Sequence, residues 1–128
     1  MIHIITNHHE TSKWVNLQAQ YLENNTSEPY KVYCGVTDMV FPLEDRIAKN
    51  YNFYDLKVPN VHADKLNALY RIQSELNTCN DDDLLVFLDP DALLFLNNWD
   101  QKLRTYLKAF PVVAISREEN IEPLLKED

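Results

Sequence analysis

Leu84-Leu85-Val86-Phe87-Leu88-Asp89-Pro90-Asp91 is the segment that gives the strongest indication of the fold class. Its five consecutive apolar residues are typical of a central strand that is buried on both faces of a parallel sheet. Asp89 and Asp91 follow at once, so we expect both carboxylates at the carboxyl end of this strand, where parallel sheets gather their ligands. Pro90 favours an extended conformation at Asp89, which would point both carboxylates to one side with Cα atoms about 6.5 Å apart.

The rest of the chain alternates strand patterns with helical patterns. Segments typical of strands occupy residues 2–5, 30–34, 51–58 and 111–115, and segments typical of helices begin near Ser12, Leu43, Asp64 and Asn97 or Asn98. This alternation predicts an α/β domain over residues 1–117, with a three-layer Rossmann-like fold around a mostly parallel sheet. Residues 118–128 are expected to form a charged tail. The loops expected at the ligand edge of the sheet are 6–10, 35–39 and 89–92.

The composition of the 128-residue chain narrows the class of ligand. Twenty acidic residues against 12 basic residues give a formal net charge of −8, which opposes binding to a nucleic-acid backbone. Gly35 is the only glycine, which excludes phosphate-binding loops of the P-loop and dinucleotide kinds because they need several glycines. A diphosphate would therefore have to be held by a bound cation, by side chains and by helix N-termini.

The cysteine count and the hydropathy pattern predict the environment of the protein. Cys34 and Cys79 are too few for a disulfide framework or a zinc cluster, and we interpret them as free thiols. No segment approaches the roughly 18 apolar residues of a membrane span, and the N-terminus lacks the basic region of a secretion signal. We therefore expect a soluble, cytoplasmic protein without a membrane span, and the sequence is compatible with a homo-oligomer.

Asp89 and Asp91 are the predicted metal ligands. Two carboxylates side by side at the end of a buried strand repel each other, and a cation between them offsets that repulsion. Hard oxygen donors of this kind suit Mn²⁺ or Mg²⁺, with phosphate oxygens completing the coordination shell. The alternative is that Asp-Pro-Asp is only a strand-ending turn, since aspartate and proline are both common turn residues.

At these residues the chain resembles the glycosyltransferases of the GT-A fold, in which an apolar strand ends in an Asp-x-Asp motif. The segment His62-Ala63-Asp64-Lys65-Leu66-Asn67 is similar to the helix-opening segment that precedes this strand in the family, although Ala63 stands where the family usually has glycine. Thr6-Asn7-His8 and Asp38 stand, in order and spacing, where the family grips the nucleobase. The resemblance covers the organisation of residues 1–117.

The resemblance implies a GT-A nucleotide-sugar-binding core that binds a nucleotide-diphospho-sugar, expected to be a UDP-sugar, with Mn²⁺ or Mg²⁺. It assigns the metal to Asp89 and Asp91. It assigns the nucleotide sugar to a larger set, namely Thr6, Asn7, His8, Asp38, His62, Lys65, Asn67, Asp89, Pro90 and Asp91. In the family the downstream half supplies much of the acceptor site, and few residues follow Asp91 here. We therefore expect a minimal glycosyltransferase with slow donor hydrolysis, and neither an acceptor nor a catalytic residue is assigned.

Two other functions stay open at this point. A phosphatase of the haloacid-dehalogenase class would use Asp89 as nucleophile and Asp91 as acid, although such enzymes need further residues well downstream. A non-catalytic nucleotide-sugar-binding module is the second alternative. Ordinary structural interpretations also compete: Lys65 on a solvated helix face, His3 as a structural residue of its strand, and Asp81-Asp82-Asp83 as a solvated loop.

Overall fold

The computed structural model describes residues 1–8, 12–36, 43, 45–56, 62–76, 79–111 and 113. Its elements are β1 (Ile2–Asn7), α1 (Ser12–Asn25), β2 (Tyr30–Val36), α2 (Asp45–Ala48), β3 (Tyr51–Asp55), α3 (His62–Leu76), β4 (Leu84–Phe87) and α4 (Trp99–Leu107). Every strand and helix predicted between residues 2 and 107 is therefore present. Of the predicted strand at 111–115, only Pro111 and Val113 are described, and neither lies in a strand. The predicted tail lies outside the described residues.

The four strands form one parallel sheet in the order β3-β2-β1-β4. Ile2 at the start of β1 pairs with Tyr30 of β2 on one side and with Leu84 of β4 on the other. The chain thus builds the sheet outward from β1 to β3 and then returns to the opposite side of β1 to add β4. The α/β class and the parallel sheet predicted from the sequence are confirmed.

Helices pack on both faces of the sheet because the chain reverses its direction across it. Crossovers between parallel strands are right-handed, so the outward and the returning connections fall on opposite faces. Leu22 of α1 and Trp99 of α4 share one core with Ile4 of β1. Leu69 of α3 packs with Ile5 of β1 in a second core, since successive strand residues point to opposite faces. None of these helices is both long enough and apolar enough to cross a lipid bilayer.

β4 lies at the edge of the described sheet, which corrects the prediction of a central strand buried on both faces. Leu84 is buried, whereas Leu85 and Phe87 on the α3 face are 38% and 53% exposed. The ring of Phe87 lies beside Tyr70 of α3, at a centroid distance of 6.3 Å. An apolar run predicts a strand but not its place in the sheet, because apolar side chains are also common on protein surfaces.

The buried face of α1 differs from the face that the sequence suggests. The sequence predicts one stripe through Trp14, Leu17 and Tyr21 with Val15 and Leu22, but Leu17 and Tyr21 are exposed. Among the residues of α1 from Trp14 onward, the buried ones are Val15, Gln18, Ala19 and Leu22. Their spacing of three and four positions defines one helical face. Gln18 is therefore carried into the interior with its apolar neighbours.

A buried carboxylate fixes α4 to the segment that follows α1. Asp100 accepts hydrogen bonds from the Ser27 amide at 3.1 Å, from the Ser27 hydroxyl at 2.7 Å and from the Glu28 amide at 3.0 Å. Burial alone would raise the pKa of Asp100, but these hydrogen bonds stabilise the carboxylate and lower its pKa. Arg104, one turn later, donates from Nη2 to Glu28 Oε1 at 2.7 Å. The first turns of α4 are thus held by polar contacts.

Candidate functional site

The carboxyl ends of β1 and β4 are neighbours at the point where the chain reverses its path across the sheet. Ligands of open parallel sheets bind at such a point, because the loops of the two adjacent strands leave in opposite directions and open a crevice. Thr6-Asn7-His8 lies at the end of β1, and Asp89-Pro90-Asp91 follows β4. The Leu88 amide donates to the Ile5 carbonyl at 2.9 Å and continues the ladder up to the aspartates. The structure thus brings two of the predicted site segments together.

Asp89 to Ala92 forms a hydrogen-bonded turn, so the predicted extended geometry of the Asp-Pro-Asp segment is wrong. The Ala92 amide donates to the Asp89 carbonyl at 3.0 Å. Pro90 occupies the second position of this turn, where the fixed φ angle of proline suits the turn geometry. Asp89 and Asp91 are both exposed. The turn therefore presents two carboxylates to solvent at the ligand edge of the sheet.

Gln18 of α1 links this turn to the end of β1. Its side-chain nitrogen donates to the carbonyl oxygens of Asp89 at 2.9 Å and of Ala92 at 3.1 Å. Its Oε1 atom lies 3.2 Å from His8 Nε2. Because the amide nitrogen of Gln18 is the donor to both carbonyls, Oε1 is left as acceptor and His8 Nε2 carries the proton. Gln18 thus fixes the backbone that carries Asp89.

The role of Gln18 was missed by the sequence prediction, although the sequence contains a signal for it. Gln18 stands three residues after Val15 and four before Leu22, both of which are buried. A polar residue on the apolar face of a helix needs buried hydrogen-bond partners, because leaving its amide unpaired would cost about 1–3 kcal/mol. Such a position therefore indicates a buried polar connection, while the partners themselves become visible only in the fold.

His8 is an interior part of this connection. Its side chain is fully buried, and Nε2 also lies 3.5 Å from the Thr6 hydroxyl oxygen. Burial lowers the pKa of His8, and the hydrogen bond with Gln18 opposes this shift only in part. The imidazole is therefore uncharged near neutral pH and stabilises the loop through neutral hydrogen bonds.

The side chain of Asn7 explains why the single glycine of the chain stands at position 35. The side chain of Asn7 is buried, and its Oδ1 atom has no hydrogen-bond partner. A Cβ atom added at Gly35, the residue paired with Asn7 in β2, would lie 2.5 Å from this Oδ1. Glycine is needed here because the Asn7 side chain fills the space that a larger residue would take, and not to form a phosphate-binding loop.

The N-terminus of α3 lies at the same edge of the sheet, because α3 follows the carboxyl end of β3. Lys65 is only 2% exposed. The alternative interpretation, in which Lys65 lies on a solvated face of the helix, is therefore wrong. Asn67 is exposed. The side chain of His62 and the whole of Asp38 lie outside the described residues, and their predicted roles stay predictions.

A different cluster of polar side chains lies at the amino edge of the sheet. His3, Cys79 and Asp83 each place one donor atom within 4.8 Å of the others, and among the described residues this is the one such group of three. Asp83 accepts hydrogen bonds from His3, from the Asn80 amide and from the N-terminal ammonium of Met1, which together hold the pKa of its carboxyl well below the ordinary value. The predicted solvated loop is therefore structured at Asp83.

No protein-family model, no curated protein and no solved structure matches this chain. What the protein binds must be inferred from its own motifs and geometry.

Proposed function

We propose that this chain is a GT-A-type nucleotide-sugar-binding core, and that it binds a UDP-sugar together with Mn²⁺ or Mg²⁺ at Asp89 and Asp91. The three-layer GT-A arrangement is part of the proposal, and helices on both faces of a parallel sheet are compatible with it. The observation that carries the proposal is the position of two exposed carboxylates beside the end of β1, at the reversal point of the sheet.

The charge of the protein supports a cation at this position. A diphosphate is anionic, whereas the chain has a formal net charge of −8 and the turn itself presents two carboxylates. Direct contact would bring like charges together, but a divalent cation held by Asp89 and Asp91 would attract phosphate oxygens. When bound, such a cation would stabilise the negative charge that develops on a departing nucleoside diphosphate.

Residues around the turn have supporting roles in the proposal. Gln18 holds the backbone of Asp89 and Ala92, so the turn keeps its shape without a ligand. In the proposal Lys65, in the N-terminal part of α3 at the carboxyl edge of the sheet, would supply positive charge to the phosphates, and the helix dipole there adds a partial positive charge. Water is the expected acceptor for slow donor hydrolysis, and no other acceptor is assigned.

Titration calorimetry with UDP-glucose in Mn²⁺ and again in EDTA tests this proposal. We expect the affinity in EDTA to fall by about tenfold or more, because the cation supplies the positive charge that the diphosphate needs. Asp91→Asn removes one charged ligand and should lower the affinity in Mn²⁺ by about tenfold or more. Equal affinities in Mn²⁺ and EDTA, or no binding in either, would contradict the proposal.

Asp81→Asn is the matched control, since it removes the same charge from an exposed aspartate at the opposite edge of the sheet. This variant should bind UDP-glucose as the wild type does. An equal loss in the Asp81 and Asp91 variants would indicate a general effect of net charge instead of a site. Release of inorganic phosphate from a phosphomonoester in Mg²⁺ would favour the phosphatase alternative.

A further inference from the structure

We propose a second metal site, separate from the proposed sugar-nucleotide site, in which His3, Cys79 and Asp83 bind Zn²⁺. A ring nitrogen of His3, the Cys79 Sγ atom and a carboxylate oxygen of Asp83 all lie within 4.8 Å of one another. Imidazole, thiolate and carboxylate are the ligands of tetrahedral zinc, with bonds of about 2.0–2.3 Å. Donor atoms bound to such an ion are about 3.5 Å apart, so small side-chain movements close the site.

The loop before β4 brings the three donors together. The Asp83 amide donates to the Asn80 carbonyl at 2.9 Å, and the Asn80 amide donates back to Asp83 Oδ2 at 3.1 Å. This turn returns the chain so that Cys79 and Asp83 both approach the start of β1. There, His3 Nε2 lies 3.0 Å from Asp83 Oδ2. Two ligands four positions apart on one turn, with a third from a distant strand, are a spacing that zinc sites use.

His3 is a buried imidazole whose hydrogen bonding is incomplete. The residue is 1% exposed, and its Nδ1 atom is buried without a hydrogen-bond partner. Buried polar atoms are normally paired, because an unpaired one costs free energy. Nε2 is the ring nitrogen that faces Asp83, so Nε2 would bind the ion, and its hydrogen bond with Asp83 would be replaced by bonds from both groups to Zn²⁺.

Cys79 has the surroundings of an accessible metal ligand. Gln73 donates from Nε2 to Cys79 Sγ at 3.1 Å, a contact that positions the sulfur beside α3. Cys79 and Gln73 line an open depression of about 240 Å³, so an ion can reach the sulfur from solvent. The other cysteine differs, since Cys34 is buried in the core and burial raises its pKa to about 12.

Binding exchanges one proton for the cation. The Cys79 thiol releases its proton to solvent as the bond from sulfur to zinc forms, while Asp83 binds as a carboxylate and His3 as a neutral imidazole. Water completes the four-coordinate shell. Asp83 and Asp89 stand at opposite ends of β4, roughly 20 Å apart for six strand residues, so this ion would not touch the proposed sugar-nucleotide site. Its effect would be to tie the loop before β4 to β1.

Cobalt absorption spectroscopy on the full chain tests the site, because Co²⁺ replaces Zn²⁺ and gives a charge-transfer band when a thiolate binds it. We expect stoichiometric Co²⁺ to produce this band in the reduced protein and Zn²⁺ to remove it. Cys79→Ser should abolish the band, whereas Cys34→Ala should retain it. Asp83→Asn should weaken the Co²⁺ affinity by about tenfold or more.

Asp91→Asn should leave the cobalt band unchanged, which separates this site from the one at the carboxyl edge. Absence of the band in the wild type, or its persistence in Cys79→Ser, would overturn the proposal. A second readout needs no variant: Zn²⁺ should protect Cys79 of the wild type from alkylation by iodoacetamide. Equal alkylation rates with and without Zn²⁺ would also overturn it.

Discussion

At the scale of single residues, Gly35 shows how one side chain constrains the backbone of a neighbouring strand. A Cβ atom at Gly35 would lie 2.5 Å from Asn7 Oδ1 and 3.0 Å from Leu56 Cδ1. We expect Gly35→Ala to lower the free energy of unfolding by about 1–3 kcal/mol in urea denaturation, because Asn7 and Leu56 must shift. In an Asn7→Ala background the loss should be smaller, since the closest atom is gone. Equal losses in both backgrounds would show that Asn7 is not the cause.

Predictability from sequence also differs from residue to residue. The position of Asp89 and Asp91 at the carboxyl end of β4 was predictable because they follow an apolar run, and their role as metal ligands stays a prediction. Gln18 and Asp100 look like ordinary helical polar residues, since the backbone groups that Gln18 binds after β4 and the groups that Asp100 binds after α1 are more than 70 positions away in the chain. Their hydrogen bonds depend on which helix packs beside which loop, and a local pattern does not contain that information.

At the scale of secondary-structure elements, Asp100 holds α4 in place. Its carboxylate accepts hydrogen bonds from the Ser27 amide, the Ser27 hydroxyl and the Glu28 amide, and the residue is fully buried. Asp100→Asn should lower the free energy of unfolding by about 2–3 kcal/mol, because the neutral amide replaces charge-assisted hydrogen bonds and adds an unneeded donor. Lys102→Ala, on the exposed face of the same helix, is the control and should change stability by no more than about 0.5 kcal/mol in the same denaturation experiment.

The elements themselves were largely predictable, whereas their environment was not. The alternation of short apolar runs with helical stripes identified β1, α3 and β4, because each pattern reflects local periodicity. The burial of β4 on both faces was predicted wrongly for the described sheet, since Leu85 and Phe87 are exposed there. A run of apolar residues shows that a strand can be buried. Which elements cover the strand depends on the rest of the fold.

At the scale of the whole molecule, the buried neutral His8 makes folding sensitive to mild acid. Burial lowers its pKa in the folded protein below the ordinary histidine value of about 6.5, so the unfolded chain takes up a proton first as the pH falls. This contribution to stability is present above about pH 6.5 and is lost as the pH falls towards the folded pKa. The urea midpoint of the wild type should therefore decrease between about pH 7 and about pH 5, and His8→Gln should reduce that decrease. An unchanged pH dependence in the variant would assign the effect to other groups.

The contact between Gln18 and the Asp89 carbonyl joins positions 71 residues apart. It forms only after α1, β1 and β4 have all assembled, so no short fragment of the chain contains the arrangement. Binding of the proposed nucleotide sugar would therefore report the fraction of the protein that is folded. As denaturant is added, binding and the near-ultraviolet circular dichroism signal should be lost together in one transition. A gradual loss of binding before that transition would indicate a locally formed loop.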